Sequence, residues 1–181
     1  RRPQLKEAEK LLKKNSQAYS NREWIEERMY PCIFYSNQWN IIDAGDRWLS
    51  LTPEIAGSKS FDSMFPRLMT YAKAVHSNGK KLFIVNCHLD HLHPQTRKEQ
   101  AKVLIKEIEK INTEKLPLLL TGDFNESPTN EVRKTIEWSS LNLSDSWIDL
   151  QLPEEGTHHK FNGNNEKTKR IDWILHSKEF S

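Results

Sequence analysis

Asp123 and Asn125 stand two residues apart where an apolar run ends, in Leu119-Leu120-Thr121-Gly122-Asp123-Phe124-Asn125. Pro117 to Leu120 reads as a buried strand that a Gly turn opens into a loop. Side chains at i and i+2 of an extended chain point the same way, so Asp123 and Asn125 are expected side by side. A carboxylate beside a carboxamide suits a hard cation such as Mg²⁺ together with a water or a phosphate oxygen. Taken alone, the same residues equally describe an Asx turn.

Three further segments carry groups of the same kind. In Leu82-Phe83-Ile84-Val85-Asn86-Cys87-His88-Leu89-Asp90-His91, polar groups gather at the end of an apolar run. Asn86, His88 and Asp90 lie at i, i+2 and i+4, which predicts one shared face. In Arg170-Ile171-Asp172-Trp173-Ile174-Leu175 a single carboxylate sits in a run that otherwise reads as buried strand. A buried carboxylate is costly unless paired, so Asp172 is expected to have an Arg or His partner, Arg170 or Lys169 being the nearest in sequence. Gly57-Ser58-Lys59-Ser60, followed by Pro66-Arg67, offers Lys, Ser and Arg donors for an anion. His88, His91 and His93 also raise a zinc reading, although i, i+3, i+5 across a strand end is not a settled zinc spacing and no Cys pair completes it. His158-His159 reads as an exposed loop pair.

The elements that must place these groups alternate between strands and helices. Gln4 to Lys14 is amphipathic and basic, with Lys6, Lys10, Lys13 and Lys14 behind Arg1 and Arg2; it reads as a solvated helix, with phosphate-backbone contact a minor alternative. Ile33 to Tyr35 and Trp48 to Leu51 read as strands, with Ile41-Ile42 between them. Leu68 to His76, the turn Ser77-Asn78-Gly79 and Lys81 to His88 read as a hairpin. Gln95 to Ile111 follows Pro94 and brings Ala101, Leu104, Ile105, Ile108 and Ile111 to one helical face. Ser127-Pro128 opens a shorter helix over Thr129 to Trp138, and Asp145 to Leu150 reads as a turn or two of helix. Glu154 to Asn165 is a polar loop. Strands flanked by surface helices predict an α/β (α+β) fold.

Taken together, these segments resemble the endonuclease/exonuclease/phosphatase superfamily, the metal-dependent phosphoesterases of the DNase I and exonuclease III type. The likeness rests on their order: N-x-H-L-D-H, then a helix, then L-T-G-D-F-N-x-x-P, then Gly156-Thr157 with Phe161 and Gly163, then R-I-D-W-I-L; Thr52 to Arg67 matches a further segment. It runs from Pro31 to Leu175. It implies a four-layer helix/sheet/sheet/helix sandwich and a site at its mouth that holds Mg²⁺ or Mn²⁺ and attacks phosphorus in line with water. Asp123 matches the Asp that activates the water and touches the metal, and Asn125 the Asn that holds a phosphate oxygen or the nucleophile beside it. His88 matches the His that donates to the phosphate, and Asp172 the Asp that orients a catalytic His. Arg67, Asn86, Thr157 and Phe161 match substrate-facing or supporting positions.

The chain departs from that pattern at both ends. Family members carry a Gln-Glu pair before the point where this chain begins, and a Ser-Asp-His segment after the R-I-D strand. Neither occurs here, so the resemblance implies one domain, 1–181, incomplete at both ends and weak or inactive as it stands. Loss of a single acid/base group costs ~10²–10⁴-fold in rate. The alternative function is a non-catalytic module that uses the same fold to hold a phosphorylated partner or protein.

Composition bounds these readings loosely. A chain of 181 residues suits one domain with a sizeable core. Its net charge of +2 neither demands nor excludes nucleic acid as substrate, against a small phosphorylated molecule. Six Trp and seven Phe are too many for a solvating tail, despite a mean hydropathy of −0.78. No run approaches the ~20 apolar residues of a membrane span. Cys32 and Cys87 read as buried free thiols rather than a disulfide.

Overall fold

The computed structural model describes residues 2–26, 28–159 and 168–180. Its centre is a mixed sheet of six strands in the order β3-β4-β5-β6-β8-β7. These are β3 (Trp39–Trp48), β4 (Leu68–His76), β5 (Lys81–His88), β6 (Leu118–Asp123), β7 (Ser144–Asp145) and β8 (Asp172–His176). β1 (Asn15–Gln17) and β2 (Phe34–Ser36) form a separate two-stranded ribbon. The helices are α1 (Arg2–Leu11), α2 (Pro94–Ile111), α3 (Glu131–Glu137) and α4 (Ser146–Asp149), with a 3₁₀ turn over Lys178–Phe180.

The expected hairpin is β4-β5, antiparallel, with Tyr71 facing Val85 across the ladder. Trp48 closes a single ten-residue β3 that takes in Ile41-Ile42, where two shorter strands were expected; Leu49 to Leu51 lie beyond it. β6 runs parallel to β5, and a parallel pair needs a long crossover, which α2 supplies. Pro94 opens α2, where its missing N–H costs nothing. Ala101, Leu104 and Ile108 are buried from α2 against one face of the sheet, with Ile105 and Ile111 partly so. That face carries Met69, Tyr71, Phe83, Val85, Leu120, Trp173 and Leu175. Phe124 stacks on Trp173 at 4.2 Å beneath the end of β6, which anchors the turn after Asp123 in the core.

The opposite face meets the ribbon side of the molecule. Thr70 donates to the Pro31 carbonyl at 2.6 Å and Asn86 to the Cys32 carbonyl at 3.1 Å, just ahead of β2. Arg22, buried, reaches Asp46 at 3.3 Å on the same row as Thr70. α1 leads into β1 and contacts it. A mixed sheet backed by α2 on one face, with the segment before β2 on the other, is a DNase I-like α+β arrangement whose second sheet is two strands wide among the described residues. Both cysteines are free thiols. Among the described residues no helix is long and apolar enough to cross a membrane.

Candidate active site

Cross-strand register builds the site. His88 is the partner of Asp123 in the parallel β5-β6 ladder, and Asp123 is the partner of Asp172 in the antiparallel β6-β8 ladder. The three side chains therefore form one row across the strand ends, on the face away from α2. Two residues earlier along β5, Asn86, Thr121 and Ile174 form the parallel row. A cavity of about 720 Å³ opens over both rows, lined among others by Asn86, His88, Asp123, Thr157 and Asp172. Its far wall is apolar and comes from Met29, Pro31, Trp147, Leu150 and Leu152. Nothing in the sequence spacing pointed to that wall, since these residues sit in loops and short turns.

Gly122 lets the row form. Its φ is +157°, and a Cβ there would collide with the Cys87 carbonyl oxygen and lie 2.7 Å from Cys87 Sγ. Only a residue without a side chain lets β6 lie this close to β5.

His88 Nε2 lies 2.8 Å from Arg67 Nη1 and 3.4 Å from Asp123 Oδ2. Arg67 Nη2 lies 3.1 Å from His91 Nδ1. Arginine only donates, so both imidazoles accept from one guanidinium, and His88 is the neutral tautomer with its proton on Nδ1. Burial, then the charge of Arg67 and the neighbouring His91, pushes the His88 ring down to about 3. Burial likewise lowers the Arg67 guanidinium from its usual range. Asp123 shifts the other way: burial raises its carboxyl, the nearby Asp172 raises it further, and an N–H from Asn125 only partly offsets this.

Several expected placements change. Asn125 does not stand beside Asp123. Its φ is +51°, its N–H donates to Asp123 Oδ1 at 2.9 Å, and its side-chain NH₂ donates to the Leu89 carbonyl at 3.0 Å. The chain closes an Asx turn after Asp123, so the i, i+2 rule for extended backbone no longer applies, and Asn125 is not among the residues lining the cavity. Asp90 leaves the face of Asn86 and His88. It is fully buried, where its carboxylate accepts N–H bonds from Met64, Leu92 and His93 at 3.1, 2.8 and 3.0 Å. Asp172 is exposed rather than buried and does not pair with Arg170. Thr157 donates to its Oδ2 at 2.5 Å, and the Thr157 hydroxyl accepts the N–H groups of Ile171 and Asp172 at 3.1 Å each. Thr157 thus orients a site carboxylate from the cavity wall. Arg170 turns to buried Asp145 at 3.0 Å and to Glu154 at 2.7 Å. Arg67 is buried behind His88 and is not a lining residue of the cavity. Phe161 lies outside the described residues.

The zinc reading of His88, His91 and His93 meets a guanidinium where an ion would have to sit. Among the described residues no three His, Cys, Asp or Glu side chains group to hold a metal. The donor set does fit one flank of a hard-cation site. Asp123 and Asp172 are adjacent carboxylates on one row, and the raised carboxyl of Asp123 reports in part the repulsion that a divalent ion would relieve.

This mixed six-stranded sheet with a polar row at its strand ends is of the DNase I-like α+β class. The sequence matches no protein-family model and no curated protein. Solved structures do match. An endonuclease/exonuclease/phosphatase protein from Bacteroides vulgatus shares 22% identity at TM-score 0.85, over 97% of this chain and 69% of that one. A Bacteroides thetaiotaomicron mannosyl-6-phosphatase shares 26% identity at TM-score 0.79, over 97% and 67%. D. rerio TDP2 complexed with a single-strand DNA product shares 16% identity at TM-score 0.65, over 99% and 69%. The chain spans about two thirds of the length of each. It shares the fold of the endonuclease/exonuclease/phosphatase proteins and is similar in sequence to a phosphatase among them.

Proposed function

We propose that this chain carries the phosphoester-hydrolysing site of a divalent-metal-dependent hydrolase, with Mg²⁺ or Mn²⁺ held on Asp123 and Asp172. The observation that carries this reading is the row of His88, Asp123 and Asp172 along one side of an open cavity. When bound, the ion neutralises charge on the phosphoryl oxygens. Asp123, standing in the row beside His88, is the carboxylate suited to orient an attacking water. His88 is neutral, because Arg67 donates to its Nε2, so its Nδ1–H is a hydrogen-bond donor and not a base. Thr157 holds the Asp172 carboxylate in one orientation. Asn86 is tied to the Cys32 carbonyl and keeps the segment carrying Pro31 on the cavity rim.

The test is hydrolysis of a chromogenic phosphodiester and a phosphomonoester in Mg²⁺, with EDTA and Asp123→Asn as controls. Hydrolysis by the wild-type chain that EDTA abolishes and Asp123→Asn lowers ~10²-fold or more supports the reading. Phosphate binding without hydrolysis supports the non-catalytic module instead. Hydrolysis that survives both controls sinks the roles given to the metal and to Asp123.

A further inference from the structure

Two polar side chains of α2 reach the ends of the strands that carry His88 and Asp123. Arg97 and Gln100 lie three residues apart on the buried side of α2, and together they take both backbone polar groups of Asp90. The Asp90 N–H donates to Gln100 Oε1 at 2.8 Å, and Arg97 Nη1 donates to the Asp90 carbonyl at 3.3 Å. Asp90 stands two residues after His88. The same guanidinium donates from Nε to Glu126 Oε2 at 2.9 Å. Glu126 stands three residues after Asp123, and its other carboxylate oxygen accepts the Val132 N–H at 2.9 Å in the first turn of α3.

Arg97 is 7% exposed and Glu126 4%, and neither lines the cavity over the row of His88. An ion pair this deep is a weak stabiliser, because the cost of desolvating both charges offsets most of their attraction. What a guanidinium adds over an apolar side chain here is direction. Its planar fork holds two acceptors at fixed angles. One of them lies on the continuation of β5 and the other on the continuation of β6. The same two segments are laced by the Leu89 N–H, which donates to the Asp123 carbonyl at 3.0 Å, and by the Asn125 side chain, which donates to the Leu89 carbonyl at 3.0 Å. The 3.4 Å approach of His88 Nε2 to Asp123 Oδ2 is therefore made between two segments that Arg97 ties together from behind.

We propose that Arg97 is a positioning residue for the candidate active site, which holds the ends of β5 and β6 at the spacing that keeps His88 and Asp123 in one row. It acts through Asp90 and Glu126. A lysine in its place keeps a charge for Glu126 and loses the second arm of the fork, so charge and direction separate in one substitution. The effect on rate rests on the phosphoesterase reading; the effect on the strand ends does not.

The test compares the full wild-type chain with Arg97→Lys and Glu126→Gln, by amide hydrogen exchange in EDTA and by hydrolysis of a chromogenic phosphodiester in Mg²⁺. The N–H groups of Leu89 and Asn125, both bonded to Asp123, are expected to exchange about tenfold faster in each variant. Amides in the middle of β5 and β6 are expected to keep their protection. Turnover is expected to fall ~10²-fold with KM within about twofold of wild type, because the reacting groups shift while the cavity wall stays. Glu126→Gln still accepts the Val132 N–H and keeps the side-chain volume, so it carries the test if Arg97→Lys fails to fold. Unchanged exchange at Leu89 and Asn125 overturns the proposal. So does exchange that quickens evenly over the whole sheet, or the failure of both variants to fold, either of which makes Arg97 a support of the fold at large. An active wild-type chain whose kcat both variants leave unchanged overturns it as well. No hydrolysis by the wild-type chain sinks the phosphoesterase reading instead, and the exchange pattern alone then decides whether Arg97 fixes the strand ends.

Discussion

Arg67 donates from Nη1 to His88 Nε2 at 2.8 Å, and together with burial this bond keeps His88 neutral in the candidate active site. The accepting nitrogen cannot also hold a proton, so the 3.4 Å approach of Asp123 to the same atom is not a charged pair in the resting protein. His88 enters any reaction as a neutral ring, held there by a neighbour that never gives up its charge.

His88 should therefore stay neutral far below the ordinary imidazole range. In NMR titration of the chain in EDTA, its ring signals should not move between neutral pH and about pH 5. Arg67→Met should raise the His88 pKa toward the ordinary value. Below ~6.5 the unfolded chain gains a proton that the folded chain refuses, so this group makes stability fall as pH drops toward about 3. A His88 titration near its ordinary value in the wild-type chain would contradict the arrangement.

Asp90 is a structural carboxylate and should behave as one. Burial pulls its pKa up, but the N–H groups of His93, Leu92 and Met64 and the Ser63 hydroxyl outweigh that and leave it below the usual range. Its stabilising effect is then complete above the unfolded value of ~3.9 and fades as pH falls through the folded value. Asp90→Ala should cost about 3 kcal/mol or more in urea denaturation at neutral pH, since it removes several bonds to a charged acceptor. The gap between variant and wild type should narrow in acid.

Asp145 sits buried between Arg133, at 2.8 Å, and Arg170, at 3.0 Å, and also accepts the Trp147 N–H at 2.9 Å. It fixes the turn that carries Trp147, Leu150 and Leu152 onto the cavity wall. Asp145→Asn leaves two buried guanidinium groups short of a counter-charge and should destabilise the fold by about 3–5 kcal/mol. A loss under about 1 kcal/mol in chemical denaturation would show that the network is better hydrated than its burial implies.

Gly122→Ala should destabilise by about 1–3 kcal/mol or more, because the added methyl meets Cys87 backbone as well as its sulfur. Adding Cys87→Ala should restore only part of the loss, since the carbonyl oxygen stays. Full restoration would mean that the thiol alone makes the contact.

Local sequence was enough for the elements and for the identity of most of the polar groups. Alternation with a Ser-Asn-Gly turn set the β4-β5 hairpin, and helical spacing behind Pro94 set α2. The apolar run ending in Gly122-Asp123 set β6, and the order of motifs carried the fold family. Which of those groups meet was settled only in three dimensions. The i, i+2 rule holds only while the backbone stays extended, so it kept Asn86 and His88 on one face and failed for Asn125 and Asp90, which lie past the strand ends. Whether His88, Asp123 and Asp172 share a row depends on the register of one parallel and one antiparallel ladder, and no local pattern encodes that pairing. The partner of Asp172 followed the same logic. Arg170 is close in sequence but found a buried carboxylate to neutralise, while Thr157, fifteen residues away, donates to Asp172 and bonds the Lys169 carbonyl just before β8.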